Sequence, residues 1–210
     1  FVIKHPRIDE FCELLEQRNY DLNMWCFARV DRVNPRILAR LKNVGLNWIA
    51  YGFESADADI VIATDKRLKK GTDVEEVIRW TKEAGINICA DVIAGLWEDD
   101  KASINKTINF LRKHEFEWVN IYPAFAYPGT PLYERYIEQG FIEEPKDWGT
   151  YGLYSYDCKP LPTKYLSSSE VLRTRDETFN NYFQDSAVLA MLERKFGKDT
   201  REHVATMANT

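Results

Sequence analysis

INICADVIAGL, residues 86–96, is the stretch on which the fold of this chain turns. Apolar residues dominate from Ile86 to Ala94, interrupted by Asn87 and Asp91, as expected of a strand in a buried parallel sheet. Gly85 precedes it and Gly95 follows it. The acidic run Glu98-Asp99-Asp100 then suits a helix N-terminus, and Ile104, Ile108 and Leu111 recur at helical spacing. One strand followed by one amphipathic helix is the unit of a parallel α/β sheet.

The same unit repeats on either side. Upstream, NWIAYGFE at 47–54 reads as another strand covered on both faces, followed by Thr72 and Glu75 in a capping-box pattern, with Val74, Val77, Ile78 and Thr81 on one helical face. Further upstream, LNMWCFARV at 22–30 reads as a strand, Asn34-Pro35 as an N-cap with proline in the first turn, and Ile37, Leu38, Leu41 and Val44 as a helical face ending before Gly45. Downstream, WVNIYPA at 118–124 opens a fourth unit. Strands alternating with helices imply parallel strands joined by right-handed crossovers. The fold class expected is therefore α/β, a partial (βα) barrel.

From Tyr127 the character changes to a proline–glycine turn, a short helical stretch over 132–139 and an aromatic loop with Trp148, Tyr151, Tyr154 and Tyr156. Ser167 to Glu170 then reads as a helix cap, with Val171, Leu172, Phe179, Tyr182 and Phe183 as apolar contacts. Two regions are expected: 1–126, later units of a barrel, and 127–210, an aromatic loop with a mainly helical C-terminal extension.

Composition narrows the function classes. With 45% hydrophobic and 29% charged residues the chain is globular rather than disordered, and no apolar run approaches a membrane span. Lys and Arg number 28 against 33 Asp and Glu, so the net charge of −5 gives no electrostatic reason to expect a nucleic-acid partner. Cys12, Cys26, Cys89 and Cys158 show no metal-ligand spacing, which argues for reduced thiols and a cytoplasmic home.

In parallel βα sheets ligands gather at the carboxyl ends of the strands. Those ends carry Arg29 with Asp31, Glu54-Ser55, Asp91 and Gly95. Glu54 follows a run of mostly apolar strand residues, so its carboxylate is expected at the barrel mouth, either facing a ligand or paired internally with Arg29. Asp91 either holds a ligand hydroxyl or ammonium or satisfies a loop backbone. Gly52 and Gly95 either admit a ligand close to the backbone or simply make turns. The tail aromatics either line a substrate pocket or form core, and Cys26 and Cys89 are expected as buried, inert thiols.

The ordered strings Ala28-Arg29-Val30-Asp31, Gly45 before a strand, Gly52-Phe53-Glu54-Ser55, Lys70-Gly71, Ala84-Gly85-Ile86, Asp91-Val92-Ile93-Ala94-Gly95-Leu96 and Tyr127-Pro128-Gly129-Thr130-Pro131-Leu132-Tyr133 resemble the Elp3/MiaB/NifB-like core of the radical S-adenosylmethionine (radical SAM) superfamily. Phe1 also suits a position just after that family's second barrel strand, so the chain is expected to be the C-terminal part of the barrel, truncated at its N-terminus. The tail from Trp148 resembles that of cobalamin-binding members.

The resemblance implies a [4Fe-4S] cluster, held by a CxxxCxxC loop outside this chain, that cleaves S-adenosylmethionine reductively to a 5′-deoxyadenosyl radical. By the same resemblance Glu54 and Ser55 contact polar groups of that cofactor, Asp91 its ribose, Gly95 its adenine and Arg29 its carboxylate. Also implied are a small-molecule substrate, the missing N-terminal barrel segment as a partner, an electron donor such as flavodoxin or ferredoxin, and cobalamin through an upstream domain. The sequence departs from the family in having Trp97-Glu98 where proline follows Gly-Leu, and in a longer segment between Ser55 and Lys70-Gly71. The loop near the adenine and a basic partner near Lys66 or Lys70 stay open for that reason. Two rivals remain: a metal- or Schiff-base-dependent barrel enzyme, for which no strand-end lysine or His/carboxylate set is present, and a non-catalytic barrel remnant acting as a binding module.

Overall fold

A computed structural model of the chain describes residues 1–63, 68–144, 147–153, 155 and 158–208. Tyr154, Tyr156 and Lys66, named above, lie outside the described residues. The elements that form the sheet and its crossovers are α1 (His5–Arg18), β1 (Met24–Ala28), α2 (Pro35–Asn43), β2 (Leu46–Glu54), α3 (Ala58–Ala63), α4 (Val74–Glu83), β3 (Asn87–Ala94), α5 (Lys101–His114) and β4 (Trp118–Pro123). After the sheet come α6 (Pro131–Glu138), a 3-10 turn at Trp148–Tyr151, and the helices α7 (Ser168–Gln184), α8 (Ser186–Phe196) and α9 (Lys198–Met207). The sheet is four-stranded and parallel, in the order β1-β2-β3-β4. The chain divides into two compact units, one of Phe1–Phe53, Arg67–Asp91 and Glu115–Asn120, the other of Glu54–Lys66, Val92–His114 and Ile121–Thr210.

In the first unit the helix-facing side of the sheet is the core. Ile49 and Tyr51 of β2, Ile88 of β3 and Val119 of β4 are completely buried, as are Ile37, Leu38 and Leu41 of α2. Tyr51 meets α4 with a hydrogen bond between its hydroxyl and Thr81 Oγ1 (3.0 Å), and Thr81 in turn donates to the Val77 carbonyl (2.8 Å). The amino ends of the strands are laced together by side chains. Lys42 Nζ donates to Asn47 Oδ1 (2.6 Å) and to the Gly85 carbonyl (2.8 Å), Asn47 donates to Asn23 (2.9 Å), and buried Glu117 accepts the Ile88 amide (2.8 Å). On the opposite side of β1, Trp25 and Phe27 are 50% and 58% exposed.

Several expected boundaries move. The first strand is shorter than 22–30, because the chain turns into a 3-10 segment at Val30–Arg32. The cap of α4 is Asp73, which accepts the Glu75 and Glu76 amides, whereas the Thr72 hydroxyl is spent on the Lys69 carbonyl. Ser167 and Glu170 do form a reciprocal capping box at α7.

Gly45 marks the tightest point of the first crossover. Its φ is +97°, and a β-carbon there would stand 2.1 Å from the Leu22 carbonyl oxygen, while its own carbonyl accepts the Met24 amide (2.7 Å) that starts the β1–β2 register. Any side chain therefore meets backbone rather than a movable group. Gly45→Ala is expected to destabilise the fold by about 2–4 kcal/mol, from left-handed strain plus the collision. Urea denaturation of the variant against the parent measures it.

Candidate functional site

The strand-end residues fall into separate arrangements, each resolved within its own unit. Arg29 forms a two-pronged pair with Asp31, Nε to Oδ1 and a terminal nitrogen to Oδ2, both at 2.9 Å. The Asp31 side chain is only 2% exposed, and it also accepts the Lys69 amide (3.0 Å). The Arg29 guanidinium, aided by that amide, holds the Asp31 carboxyl below the usual carboxylate range against the opposing effect of burial. Asp31, held by Arg29, thus ties the exit of β1 to the segment at Lys69.

Glu54 ends β2 at 7% exposure with φ +64°, a left-handed conformation that is uncommon for a residue with a side chain. Ser55, also buried, bonds Thr107 of α5 (3.2 Å) and accepts the Asp57 amide (3.1 Å), and Thr107 also accepts the Ala56 amide (3.0 Å). Asp57 pairs with Lys106, whose ammonium lowers its carboxyl. The loop after β2 is therefore bolted to α5, and the Ser55 hydroxyl takes part in that bolt.

Asp91 lies on β3 beside Asn120 of β4, whose Nδ2 donates to Asp91 Oδ1 (2.8 Å) and to Cys89 Sγ (3.3 Å), while Trp118 Nε1 fixes the Asn120 carbonyl (3.0 Å). Burial, reinforced by Asp91, pushes the Cys89 thiol up to about 12. Gly95 has φ +91°, and a β-carbon there would come within 2.5 Å of Val171 of α7. Its amide and that of Leu96 are accepted by Asp99 Oδ2 (3.1 and 2.9 Å), and Asp99 Oδ1 takes the Ser103 hydroxyl (2.7 Å). Asp99 is 1% exposed, and burial raises its carboxyl despite these donors.

The sequence pattern did not single out Asp99, Asn120, Thr107 or the Asp57–Lys106 pair. Asn120 carried one usable signal, since it shares strand parity with Trp118 and Tyr122 on β4. Asp99 looked like one of three equivalent acidic residues until burial separated it from Glu98.

The cysteines do not suit an iron–sulfur cluster. All four are free thiols, Cys12, Cys89 and Cys158 are buried, and burial raises every one of them, Cys26 to about 11. A cluster requires thiolates. Among the described residues no group of three or more His, Cys, Asp or Glu side chains is placed to hold a metal ion. None of the helices among them is long and apolar enough to cross a membrane.

No family model matches the sequence. An uncharacterised methyltransferase of Pyrococcus horikoshii is 21% identical over 203 residues, covering 97% of this chain and 42% of that protein. Among solved structures, coproporphyrinogen III oxidase (HemN) of Escherichia coli, a radical SAM enzyme, is similar at a TM-score of 0.57 with 16% identity, over 91% of this chain and 43% of that one. The radical SAM methyltransferase TsrM of Kitasatospora setae, solved with tryptophan and a SAM analogue, is similar at 0.55 with 13% identity, over 63% of this chain and 27% of that one. The fold is that of the radical SAM enzymes, a partial βα barrel with a mainly helical extension. The chain spans less than half the length of each of these three proteins.

The Asp31 clamp gives a pH-dependent expectation. Its carboxyl is lowered in the folded state, so its stabilisation is present above the ordinary carboxylate value and is lost as pH falls through the lowered one. Arg29 is 42% exposed, so solvent screening keeps the gain modest. Asp31→Asn is expected to cost about 1 kcal/mol at pH 7. Urea melts should show parent and variant converging as pH falls below the ordinary carboxylate range.

Proposed function

We propose that the chain is the later part of the catalytic barrel of a radical SAM enzyme that methylates a small molecule, with residues 1–126 contributing to the barrel and 127–210 an aromatic loop and helical extension. The observation that carries this reading is the fold, which follows a radical SAM enzyme over 91% of the chain, and the sequence relative described as a methyltransferase supports the reaction class. S-adenosylmethionine, when bound at a reduced [4Fe-4S] cluster, supplies the radical chemistry. The cluster's thiolates do not come from this chain, whose buried, raised thiols do not fit it. They belong to the N-terminal barrel segment, which is the partner of this reading. A flavodoxin or ferredoxin would deliver the electron, and an upstream domain would bring cobalamin.

What this chain contributes is binding and orientation. Glu54, buried at the carboxyl end of β2, offers a carboxylate to the ammonium or ribose hydroxyls of the cofactor. Asp91, whose Oδ1 accepts Asn120 Nδ2, would meet a ribose hydroxyl of the cofactor. Gly95 would lie beside the adenine through the shape of its turn, since its amide is held by Asp99 and the side a β-carbon would take is filled by Val171. Arg29, its charge shared with Asp31, faces the cofactor carboxylate, and Ser55 holds the Glu54 loop on α5.

The test uses the gene-encoded protein, reconstituted with iron and sulfide and reduced without oxygen. Conversion of S-adenosylmethionine to 5′-deoxyadenosine and methionine is expected, and its absence from a protein with full cluster content would overturn the reading. Glu54→Gln should weaken cofactor binding tenfold to a hundredfold, the loss of one charge-assisted hydrogen bond worth roughly 1.5–3 kcal/mol, with the melting temperature nearly unchanged. Lost stability with normal affinity would instead make Glu54 a structural ion-pair partner.

A further inference from the structure

Beyond the carboxyl end of β4 the chain builds an aromatic row that none of the cofactor contacts uses. Phe125 and Tyr127 follow the strand directly, and the 3-10 turn at Trp148–Tyr151 returns two more rings to them. Ring centroids are 5.8 Å apart for Phe125–Tyr127, 5.8 Å for Tyr127–Tyr151 and 6.1 Å for Tyr151–Trp148, with interplanar angles of 36°, 33° and 34°. Core aromatics commonly meet edge to face, as Trp97 and Tyr136 do nearby at 81°. These rings lie shallowly tilted, as the buried pair Phe53–Phe116 also does at 32°, and Phe125 closes on Tyr151 as well at 6.1 Å, so they form a cluster whose exposed members are Tyr127 (46%) and Trp148 (69%) while Phe125 is buried.

The loop that holds the row is pre-arranged. Asp147 caps the 3-10 turn through the Gly149 amide (2.9 Å), and the Thr150 carbonyl accepts the Lys159 amide (3.0 Å). The Leu161 amide then bonds the Ala124 carbonyl (2.8 Å), tying the returning chain to the exit of β4. Rings fixed in this way lose little further entropy on binding a flat partner. The flanking charge selects the partner. Residues 134–147 carry five acidic side chains against two basic ones, and Glu138, Glu143, Glu144 and Asp147 are exposed. Lys159 and Arg175, the latter paired with Asp176, also bond this loop through Thr150 and Leu153, so it is the acidic excess over 134–147 that favours a neutral or cationic ring over an anionic one.

We propose that Phe125, Tyr127, Tyr151 and Trp148 form a stacking site for a planar aromatic small molecule that carries no negative charge. Position at a strand's carboxyl end makes it the substrate's site if the proposed function holds. Binding to the rings does not depend on that function.

The probe is proflavine, a planar cation, followed by fluorescence anisotropy with the 210-residue chain. Saturable one-to-one binding is expected, weakened about fivefold to twentyfold by Trp148→Ala and by Tyr127→Ala, both exposed positions whose melting temperatures should match the parent. Trp25→Ala, an exposed ring in the other compact unit, should leave affinity unchanged, and 1-pyrenesulfonate, flat but anionic, should bind at least about tenfold more weakly. Non-saturable binding, equal loss from Trp25→Ala, or equal affinity for the anion would overturn the proposal. So would Trp148-dependent dimerisation that excludes the probe, because the row would then belong to a second copy. Failure of S-adenosylmethionine cleavage leaves this assay unaffected, and failure here leaves the cleavage assay unaffected.

Discussion

One buried carboxylate, Asp99, holds three segments of the second compact unit in register. It gathers the amides of Gly95 and Leu96 at the end of β3 and the hydroxyl of Ser103 in the first turn of α5, with no charged partner among the described residues to offset its burial. A carboxylate deprived of water needs donors, and backbone amides at a turn supply them in a fixed direction. The consequence passes outward through Gly95. Its positive φ leaves the backbone bare on the side where Val171 of α7 packs, so the helical extension seats against the turn that Asp99 shapes. The loop after β3 and the first turn of the extension are therefore one mechanical piece.

The sequence made the sheet legible because burial on both faces leaves a mostly apolar run, and all four strands stand within two residues of where those runs place them, three of them within one. Helix ends were less legible. Thr72 and Asp73 are both good caps by residue type, and the choice fell to Asp73 because the Lys69 carbonyl captured the threonine hydroxyl. Helix α1 left almost no signal, since only Ile8 and Cys12 of its fourteen residues are buried and no side chain caps it. Of the strand-end residues, the positions of Arg29, Glu54, Asp91 and Gly95 could be read from the strands that carry them. Their partners could not, because Asn120, Thr107 and Lys106 lie 29, 52 and 49 residues from the groups they bond. Spacing along the chain carries no record of such pairs.

The chain's chemistry is one-sided: it supplies carboxylates, amides and rings, and its sulfur is withdrawn into apolar surroundings. Cys89 shows the physical reason. Beside Asp91 and away from water, a thiolate would be both desolvated and repelled, so the proton stays on sulfur. Burial first, and then the Asp91 carboxylate beside it, keep Cys89 from serving as a thiolate ligand. Binding polar groups of a cofactor and ligating a cluster are thus assigned to different stretches of polypeptide in the reading proposed above.

Five carboxylates near the carboxyl ends of the strands divide by how each is held. Asp31 is held by Arg29, Asp57 by Lys106, Asp91 by Asn120 and Asp99 by two amides and a hydroxyl, all with ordinary backbone. Glu54 alone among them sits at positive φ, a conformation that costs about 1–3 kcal/mol in a residue with a side chain. Nothing in strand geometry requires it, since β2 could end in an extended residue as β1, β3 and β4 do. The surrounding bolt of Ser55, Thr107, Asp57 and Lys106 is what sustains the strain, for it fixes the chain immediately after Glu54 and leaves that one residue to absorb the turn. Within the second compact unit the Asp57–Lys106 pair and the Ser55–Thr107 bond therefore supply the rigidity that the strained Glu54 consumes.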